Sequence, residues 1–468
     1  MPRAGWVKPR DDQRLTDHVA LGVLSRTFPP GLVDAVIGEA GREQRRSRLL
    51  PSRLVVYYVL AMALFSSAGY EEVMRHLVEG LSWESGWRQE WAVPSQPAIS
   101  QARARLGPEP LELLFARACV PLGARGMPGA FYRRWRLVSM DGSTLDAADT
   151  PENEEAFGRA GSGRGEGRGA FPQVRLVALA ECGTHAMFAV AMGAFGDSEQ
   201  ILARDLVAAL TPGMLVLADR GFTAHPLFPA FAATGADLCW RAKGNAALPV
   251  LERLADGSYR SELVAHADRR ARRHVLPVRV IEYALDDPGR PGAGERYRLV
   301  TTIADPDEAP AAELAALYAE RWEFETALDE MKTHQRGPRA VLRSKSPGGV
   351  RQEAYGYLCT HYAIRALMAS AASDHGTGPD RISFTRALNA ARRSARAGLG
   401  ASAGALAAAL PATIREICRQ LLPLRRLRAA PRAVKRKMSN YAVKRTVHRS
   451  WPQPTRPPAG AVRVLAAP

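Results

Sequence analysis

Residues 318–332, YAERWEFETALDEMK, set a phenol, a guanidinium, a carboxylate and an ammonium at fixed intervals: Tyr318, Arg321, Glu325 and Lys332. On a helix of 3.6 residues per turn these four and Asp329 fall within an arc of about 80°. Leu317, Phe324, Leu328 and Met331 form the neighbouring apolar stripe, which should pack on a sheet. One glutamate is then held beside a buried face, with an arginine one turn before it and a lysine two turns after. Taken alone, Arg321 and Glu325 make an ordinary i,i+4 pair, worth roughly a few tenths of a kcal/mol.

Two aspartates change that weighing. Asp141 in VSMDG and Asp219 in VLADRG each close an apolar, strand-like run, and a glycine follows at once or one residue later. Carboxylates at strand ends can converge on one edge of a sheet, and a later helix packed there would bring a third. Three such charges repel unless cations neutralise them. Hard oxygen donors suit Mg²⁺ or Mn²⁺, and the lack of a Cys/His cluster argues against zinc. Two ions about 3.5–4 Å apart would serve an in-line displacement at a phosphodiester. Arg321 and Lys332 would hold phosphate oxygens, one as a planar fork and the other as a point charge. Tyr318 would stack on a base or cap a phosphate, and Arg220, beside Asp219, would contact a phosphate or a carboxylate.

The elements that must position these groups read as a mixed α/β layout. Residues 18–85 are helical by periodicity, with breaks near Gly38–Gly41 and at Pro51. The run LVVYYVLAMALF (54–65) is too short to span a bilayer and reads as a buried helix. VPSQPAISQARARLG (93–107) starts a short helix carrying Arg103 and Arg105, either a surface helix or the second helix of a DNA-binding unit. Strands follow at WRLVSMDGSTLD, from Gln173, at GTHAMFAVAMG and at GMLVLADRGF, with a helix over SEQILARDLVAAL. Between 245 and 303 short alternating segments surround DDPGRPGAG and read as antiparallel β structure. Helical periodicity resumes at Glu313 and continues to about Ala371. A glycine-arginine loop at 158–170 is too irregular for a nucleotide fingerprint.

The charge balance points the same way. Lys and Arg number 64 against 47 Asp and Glu, a formal net charge of +17, and residues 419–468 hold 13 Lys and Arg with no acid. Such an excess favours a polyanionic partner, most simply nucleic acid, although an anionic membrane would also satisfy it. The N-terminal MPRAGWVKPRDDQRL lacks a hydrophobic signal segment. Five scattered cysteines, Cys119, Cys182, Cys239, Cys359 and Cys418, make no CxxC pair and fit isolated core positions in a reducing cytoplasm.

The spacing Tyr-x2-Arg-x3-Glu-x6-Lys, met at Tyr318, Arg321, Glu325 and Lys332, resembles the signature of the IS4 family of insertion-sequence transposases. SMDGSTLD and VLADRGF resemble the segments around that family's catalytic aspartates, which places them at Asp141 and Asp219. LTDHVALGVLSRTFPP through VMRHLVEGL resembles the family's helical N-terminal domain, and PRAVKRKMSNYAVKR a C-terminal segment of the group. The resemblance implies an α/β fold: an RNase H-like mixed-sheet catalytic core with a β-rich insertion, a helical N-terminal domain and a basic C-terminal region. The corresponding boundaries are 16–107 for the DNA-binding helical domain, 131–244 and 304–371 for the two parts of the core, 245–303 for the insertion and 380–468 for the C-terminal region.

It further implies a catalytic and metal-binding triad of Asp141, Asp219 and Glu325 with two Mg²⁺ per site, Mn²⁺ substituting. The partners implied are double-stranded DNA, as terminal inverted repeats and target, and a second copy in a homodimeric synaptic complex, with no membrane. Water would nick the element end, and the freed 3′-OH would attack the opposite strand, giving a hairpin in relatives where this is established. A second water would open the hairpin before the 3′-OH joins target DNA. Trp240 is then either a core residue or a platform for a flipped base, with Arg241 and Lys243 tracking the backbone. Glu181, Asp146, Asp149 and Asp197 match none of the family positions and read as surface or turn acids. The competing readings are an RNase H-like nuclease without strand transfer and a non-catalytic DNA-binding protein. The expected location is the bacterial cytoplasm, on the nucleoid.

Overall fold

The computed structural model describes residues 22–44, 50–84, 93–161, 168–223, 226–264, 275–290, 292–338, 340–397 and 403–423, with shorter pieces at 433–434, 442–443, 445–446 and 453–467. The N-terminal stretch to residue 21, the middle of the glycine-arginine loop and most of the RRLR, KRK and PRAVKRKMSNYAVKR clusters lie outside them.

Among the described residues six helices come first: α1 (Val23–Thr27), α2 (Pro30–Glu39), α3 (Ser52–Leu64), α4 (Tyr70–Glu84), α5 (Gln96–Leu106) and α6 (Glu109–Ala118). The breaks fall where the sequence puts them, because proline at a helix start lacks only an N–H that would go unpaired anyway. Every residue of α3 except Arg53 is buried, as a helix that is apolar all round must be. No helix among the described residues is long and apolar enough to cross a membrane. Arg53 turns out to Asp34 of α2, its Nε donating at 2.6 Å.

Next comes a sheet: β1 (Phe131–Tyr132), β2 (Trp135–Asp146), then α7 (Pro151–Phe157), β3 (Arg159–Gly161), β4 (Arg168–Glu181), β5 (Met187–Ala194), α8 (Glu199–Arg204), β6 (Met214–Ala218), α9 (Leu227–Ala232) and β7 (Asp237–Arg241). β5, β4 and β2 form an antiparallel meander, and β6 and β7 add to β2 in parallel. This open mixed sheet under helices is an RNase H-like core. All five residues of β6 are buried, which is why MLVLA does not alternate.

The segment expected as a β insertion is antiparallel, yet it does not stand apart. β8 (Glu252–Arg253), β9 (Tyr259–Leu263), β10 (Leu276–Leu285) and β11 (Tyr297–Thr301) continue the same sheet, with Val300 of β11 opposite Trp240 of β7. Trp240 is fully buried, edge-on to Phe228 at 5.0 Å and Phe231 at 5.2 Å, so it is a core residue and not a base platform.

The helical stretch after Glu313 is interrupted. α10 (Ala311–Leu317) passes into a 3₁₀ turn over Tyr318–Arg321, then α11 (Trp322–Asp329) and a π-helical turn over Glu330–Gln335. Beyond the π turn, Leu342 bridges to Ala147, just past β2, before α12 (Pro347–Asp374) begins. α13 (Phe384–Ala397) and α14 (Ala403–Cys418) follow. Two short strands, β12 (Ala433–Val434) and β13 (Ala442–Val443), pair with each other. After α15 (Pro458–Ala461), β14 (Val462–Val464) returns to pair with β10, and Arg463 Nε donates to Asp286 at 2.6 Å. The end of the acid-free tail is therefore part of the sheet.

The N-terminal helices share one core with α12, with Phe324 and Leu328 of α11 and with Met331 of the π turn. Arg103, on the helix read as either a surface helix or the second helix of a DNA-binding unit, points inward. Its guanidinium donates to Gln352 at 3.2 Å, Ser344 at 2.9 Å and the Gly349 carbonyl at 3.1 Å, so it ties α5 to the start of α12. α3 and α12 meet at Gly356, where a Cβ would stand 2.8 Å from Val59 Cγ1 and 3.1 Å from the Val59 carbonyl oxygen. A backbone oxygen cannot rotate aside. Overpacking costs about 1–3 kcal/mol and the helix gain of alanine over glycine is about 1 kcal/mol. Gly356→Ala is therefore expected to lose stability on balance, read as a lower urea midpoint.

Candidate active site at the sheet edge

The parallel register of β2 and β6 runs from Arg136 opposite Met214 to Met140 opposite Ala218. One step further along each chain come Asp141 and Asp219. Pairing alone thus sets the two carboxylates side by side. Asp219 follows the end of β6, as the sequence indicates, but Asp141 does not end its strand. β2 continues to Asp146 against β4, with Asp141 opposite Ala178. The antiparallel partner outlasts the parallel one, so Asp141 lies at the step where β6 leaves the sheet. Each acid folds onto the backbone just after it: Gly142 N donates to Asp141 at 2.8 Å and Gly221 N to Asp219 at 2.6 Å. Burial pushes the Asp141 pKa up and the charge of Asp219 adds to this, while Arg321 and the Gly142 amide oppose it.

The helical run 318–332 lies along this edge and is pinned at several points. Tyr318, 8% exposed, donates its hydroxyl to the Ala218 carbonyl at 3.1 Å, directly before Asp219. Ser139 Oγ donates to the Arg321 carbonyl at 3.1 Å. Arg321 Nη1 reaches Asp141 at 3.0 Å and Nη2 lies 3.7 Å from Glu325. Lys332 Nζ donates to Ser143 Oγ at 3.0 Å and to the Thr144 carbonyl at 2.9 Å. The intervals have a geometric reason. Eleven helical residues from 321 to 332 rise roughly 16 Å, and five strand residues from 139 to 144 rise about as much.

Arg321 is thus more than an i,i+4 partner, because its guanidinium stands between two carboxylates. Burial alone would lower its pKa, and Tyr318, Asp141, Asp219 and Glu325 together hold it above the ordinary value. Burial, then the nearby Arg336, lowers that of Lys332 against Asp146. Arg220 is exposed beside Asp219. Arg241 stacks over Tyr297 at 4.4 Å, and the Lys243 carbonyl accepts from Arg298 at 2.8 Å. Among the described residues no three acidic, histidine or cysteine side chains stand close enough to share one ion. The donor set still suits a hard cation: oxygens only, with two adjacent carboxylates whose mutual repulsion a cation would relieve.

Several residues were missed. Glu199, the first residue of α8, lies over Gly142. Glu181, read as a surface or turn acid, is fully buried: it pairs with Arg136 and accepts from Leu122 N at 3.0 Å and Gly123 N at 2.6 Å. Asp146, Asp149 and Asp197 serve local contacts with Gln173, Arg159 and the Ala194 amide. Behind α11 sits a buried charge cluster. Glu330 accepts from Arg365 at 3.3 Å and lies 3.3 Å from His185 Nδ1 and 3.2 Å from His361 Nε2, while His185 Nε2 lies 2.8 Å from Glu323. Both ring nitrogens of His185 face carboxylate oxygens.

Two family models match the chain. The one described as the insertion element 4 transposase N-terminal domain covers residues 18–116, and the transposase DDE domain covers 135–362. The chain is similar to the transposase InsG for insertion sequence element IS4 of Escherichia coli (strain K12), 29% identical over 93% of each chain. It is also similar to the putative transposase InsZ of the same organism, 27% identical over 42% of this chain and 62% of that one. A solved structure of the piggyBac transposase synaptic complex with hairpin DNA matches loosely, with a TM-score of 0.44, 9% identity and 84% of each chain covered.

Proposed function

Because this chain belongs to the IS4 family of DDE-type insertion-sequence transposases, we propose that it excises an insertion sequence at its terminal inverted repeats and joins the freed ends to target DNA. The observation that carries this reading is the register placing Asp141 beside Asp219, with the Glu325 helix pinned over them by Tyr318, Arg321 and Lys332. Asp141, Asp219 and Glu325 would hold two Mg²⁺ ions, or Mn²⁺ in their place. When bound, the ions supply activation of the attacking oxygen and stabilisation of the leaving one.

The chain's own residues do the rest. Asp141, within β2, and Asp219, just past the end of β6, fix where the scissile phosphate must lie. Arg321 neutralises Asp141 and Glu325 in the free protein and offers its fork to a phosphate oxygen when DNA arrives. Lys332 and the exposed Arg220 add positive charge on either side. Tyr318, with its hydroxyl committed to Ala218, holds the helix against β6 and is neither a nucleophile nor a base platform. The +17 charge supplies sequence-independent affinity for the duplex. Two element ends must meet, so the working complex contains two copies, in the bacterial cytoplasm on the nucleoid.

The test is a cleavage and joining assay on labelled duplexes carrying the element's flanking inverted repeats, with Mg²⁺ or Mn²⁺ against EDTA. Nicks at the repeat boundary and joined products, both lost in EDTA, are the expected result. Cleavage that never yields joined product, with target DNA supplied, would instead establish a nuclease. Binding without any cleavage would establish a DNA-binding protein.

A further inference from the structure

The guanidinium of Arg321 stands between Asp141 and Glu325 with donors to spare. Its Nη1 donates to Asp141 at 3.0 Å, and its Nη2 lies 3.7 Å from Glu325, beyond hydrogen-bond reach. The residue is 8% exposed, yet its buried Nε has no hydrogen-bond partner. A guanidinium carries five N–H donors in a planar fork, and leaving a buried donor unsatisfied costs free energy. The spare donors fit an anion that presents several oxygens, and a DNA phosphate is such an anion.

The backbone and the side chain of Arg321 are held separately. Ser139 Oγ donates to the Arg321 carbonyl at 3.1 Å, and the bonds of Tyr318 and Lys332 hold the run on either side. The guanidinium itself is held by its bond to Asp141 and by its position over the Trp322 ring at 5.1 Å. It can therefore change partners without moving the helix. A divalent ion shared by Asp141 and Glu325 would need the space this guanidinium takes, and two like charges in one place repel strongly. Among the described residues no three acidic, histidine or cysteine side chains converge, as expected where a guanidinium is wedged between two of the acids.

We propose that Arg321 gates metal loading: in the free protein it takes the cation's place between Asp141 and Glu325, and a DNA phosphate draws it away so that a divalent ion can enter. The inference rests on the metal-dependent reading above. It favours assembly with the duplex first and the ion second, which keeps the free protein from carrying a loaded phosphodiester-cutting centre. The coupling is reciprocal: the factor by which DNA tightens ion binding is the factor by which the ion tightens DNA binding.

Mn²⁺ binding to the full-length protein, read by electron paramagnetic resonance with and without an inverted-repeat duplex, tests the gate apart from turnover. With binding to the duplex alone subtracted, the wild type should hold Mn²⁺ about 10-fold or more tightly when DNA is present. Arg321→Gln, at a matched melting temperature, should bind Mn²⁺ without DNA about 10-fold more tightly than the wild type, and should gain less from the duplex. A second arm needs no variant. Saturating Mn²⁺ without DNA should raise the labelling of wild-type Arg321 by an arginine-directed dicarbonyl, read by peptide mass spectrometry. Arg321→Gln that binds Mn²⁺ no more tightly than the wild type, or Arg321 labelling that Mn²⁺ leaves unchanged, would overturn the gate. The metal-dependent reading survives that result if Asp219→Asn loses Mn²⁺. If wild type and Asp219→Asn bind Mn²⁺ alike with the duplex present, both readings fall.

Discussion

Asp219→Asn is expected to lower cleavage and joining together, on the order of 10³-fold or more, without lowering the unfolding midpoint. The size follows from the proposed role of Asp219 as a charged ligand, whose effect would be greatest in the transition state. The unchanged stability follows from geometry. Asp219 sits beside Asp141 at the end of the β2–β6 register, and its charge helps push the Asp141 pKa up. Taking that charge away relieves a repulsion in the folded state against some loss of attraction to Arg321, and the amide oxygen of asparagine can still accept from Gly221 N. Catalytic sites hold such unfavourable arrangements against stability. Matched urea curves and strand-transfer gels on the two proteins check both halves. A large loss of stability, with activity falling in proportion, would mean that Asp219 serves the fold and not the chemistry.

What the sequence makes legible here is whatever local chemistry encodes. Asp141 and Asp219 stand out because apolar runs stop at them and glycine follows; the helical intervals of Tyr318, Arg321 and Lys332 are set by the rise of the strand they follow. The β-rich segment shows its alternation, but whether it forms a separate unit or extends the sheet depends on Val300 meeting Trp240, a pairing that no local pattern contains. Arg103 reads as a surface cation because its partner Gln352 lies 249 residues away. Glu181 reads as a turn acid because the amides it accepts from belong to Leu122 and Gly123, far upstream. Glu199 is invisible for the same reason: only the β2–β6 register and the α8 crossover bring it over Gly142. Extrapolating a 3.6-residue period across 318–332 misses the 3₁₀ entry and the π exit. Those windings turn Glu330 inward to a site built from the β4–β5 turn and α12.

That inward turn yields the largest stability effect. Glu330 faces Arg365, His185 and His361 in the interior, and Glu330→Gln would leave the Arg365 guanidinium buried without its carboxylate. Removing one partner of a buried pair costs about 3–5 kcal/mol, a large share of a typical folding free energy. Burial by itself would raise the Glu330 pKa, but Arg365 and the two histidines hold it well below the ordinary value. A depressed carboxylate contributes stability above its unfolded pKa, about 4.3, and loses it as the pH falls from there through the folded value. His361 adds to the acid loss from higher pH. Burial lowers its pKa, so protons favour the unfolded chain once the pH drops below about 6.5. Wild type should therefore weaken in two acid stages, and Glu330→Gln should show a smaller loss in the lower one, where the depressed Asp256 still titrates. The double change Glu330→Met with Arg365→Met removes both charges and should recover part of the loss, as apolar replacement of a buried pair commonly does. Recovery of stability need not restore activity. Glu330 lies five residues past Glu325 and two before Lys332, in the π turn that sets their spacing along β2. A stable but weakly active double variant would show that this buried cluster holds the third carboxylate in place as well as the fold.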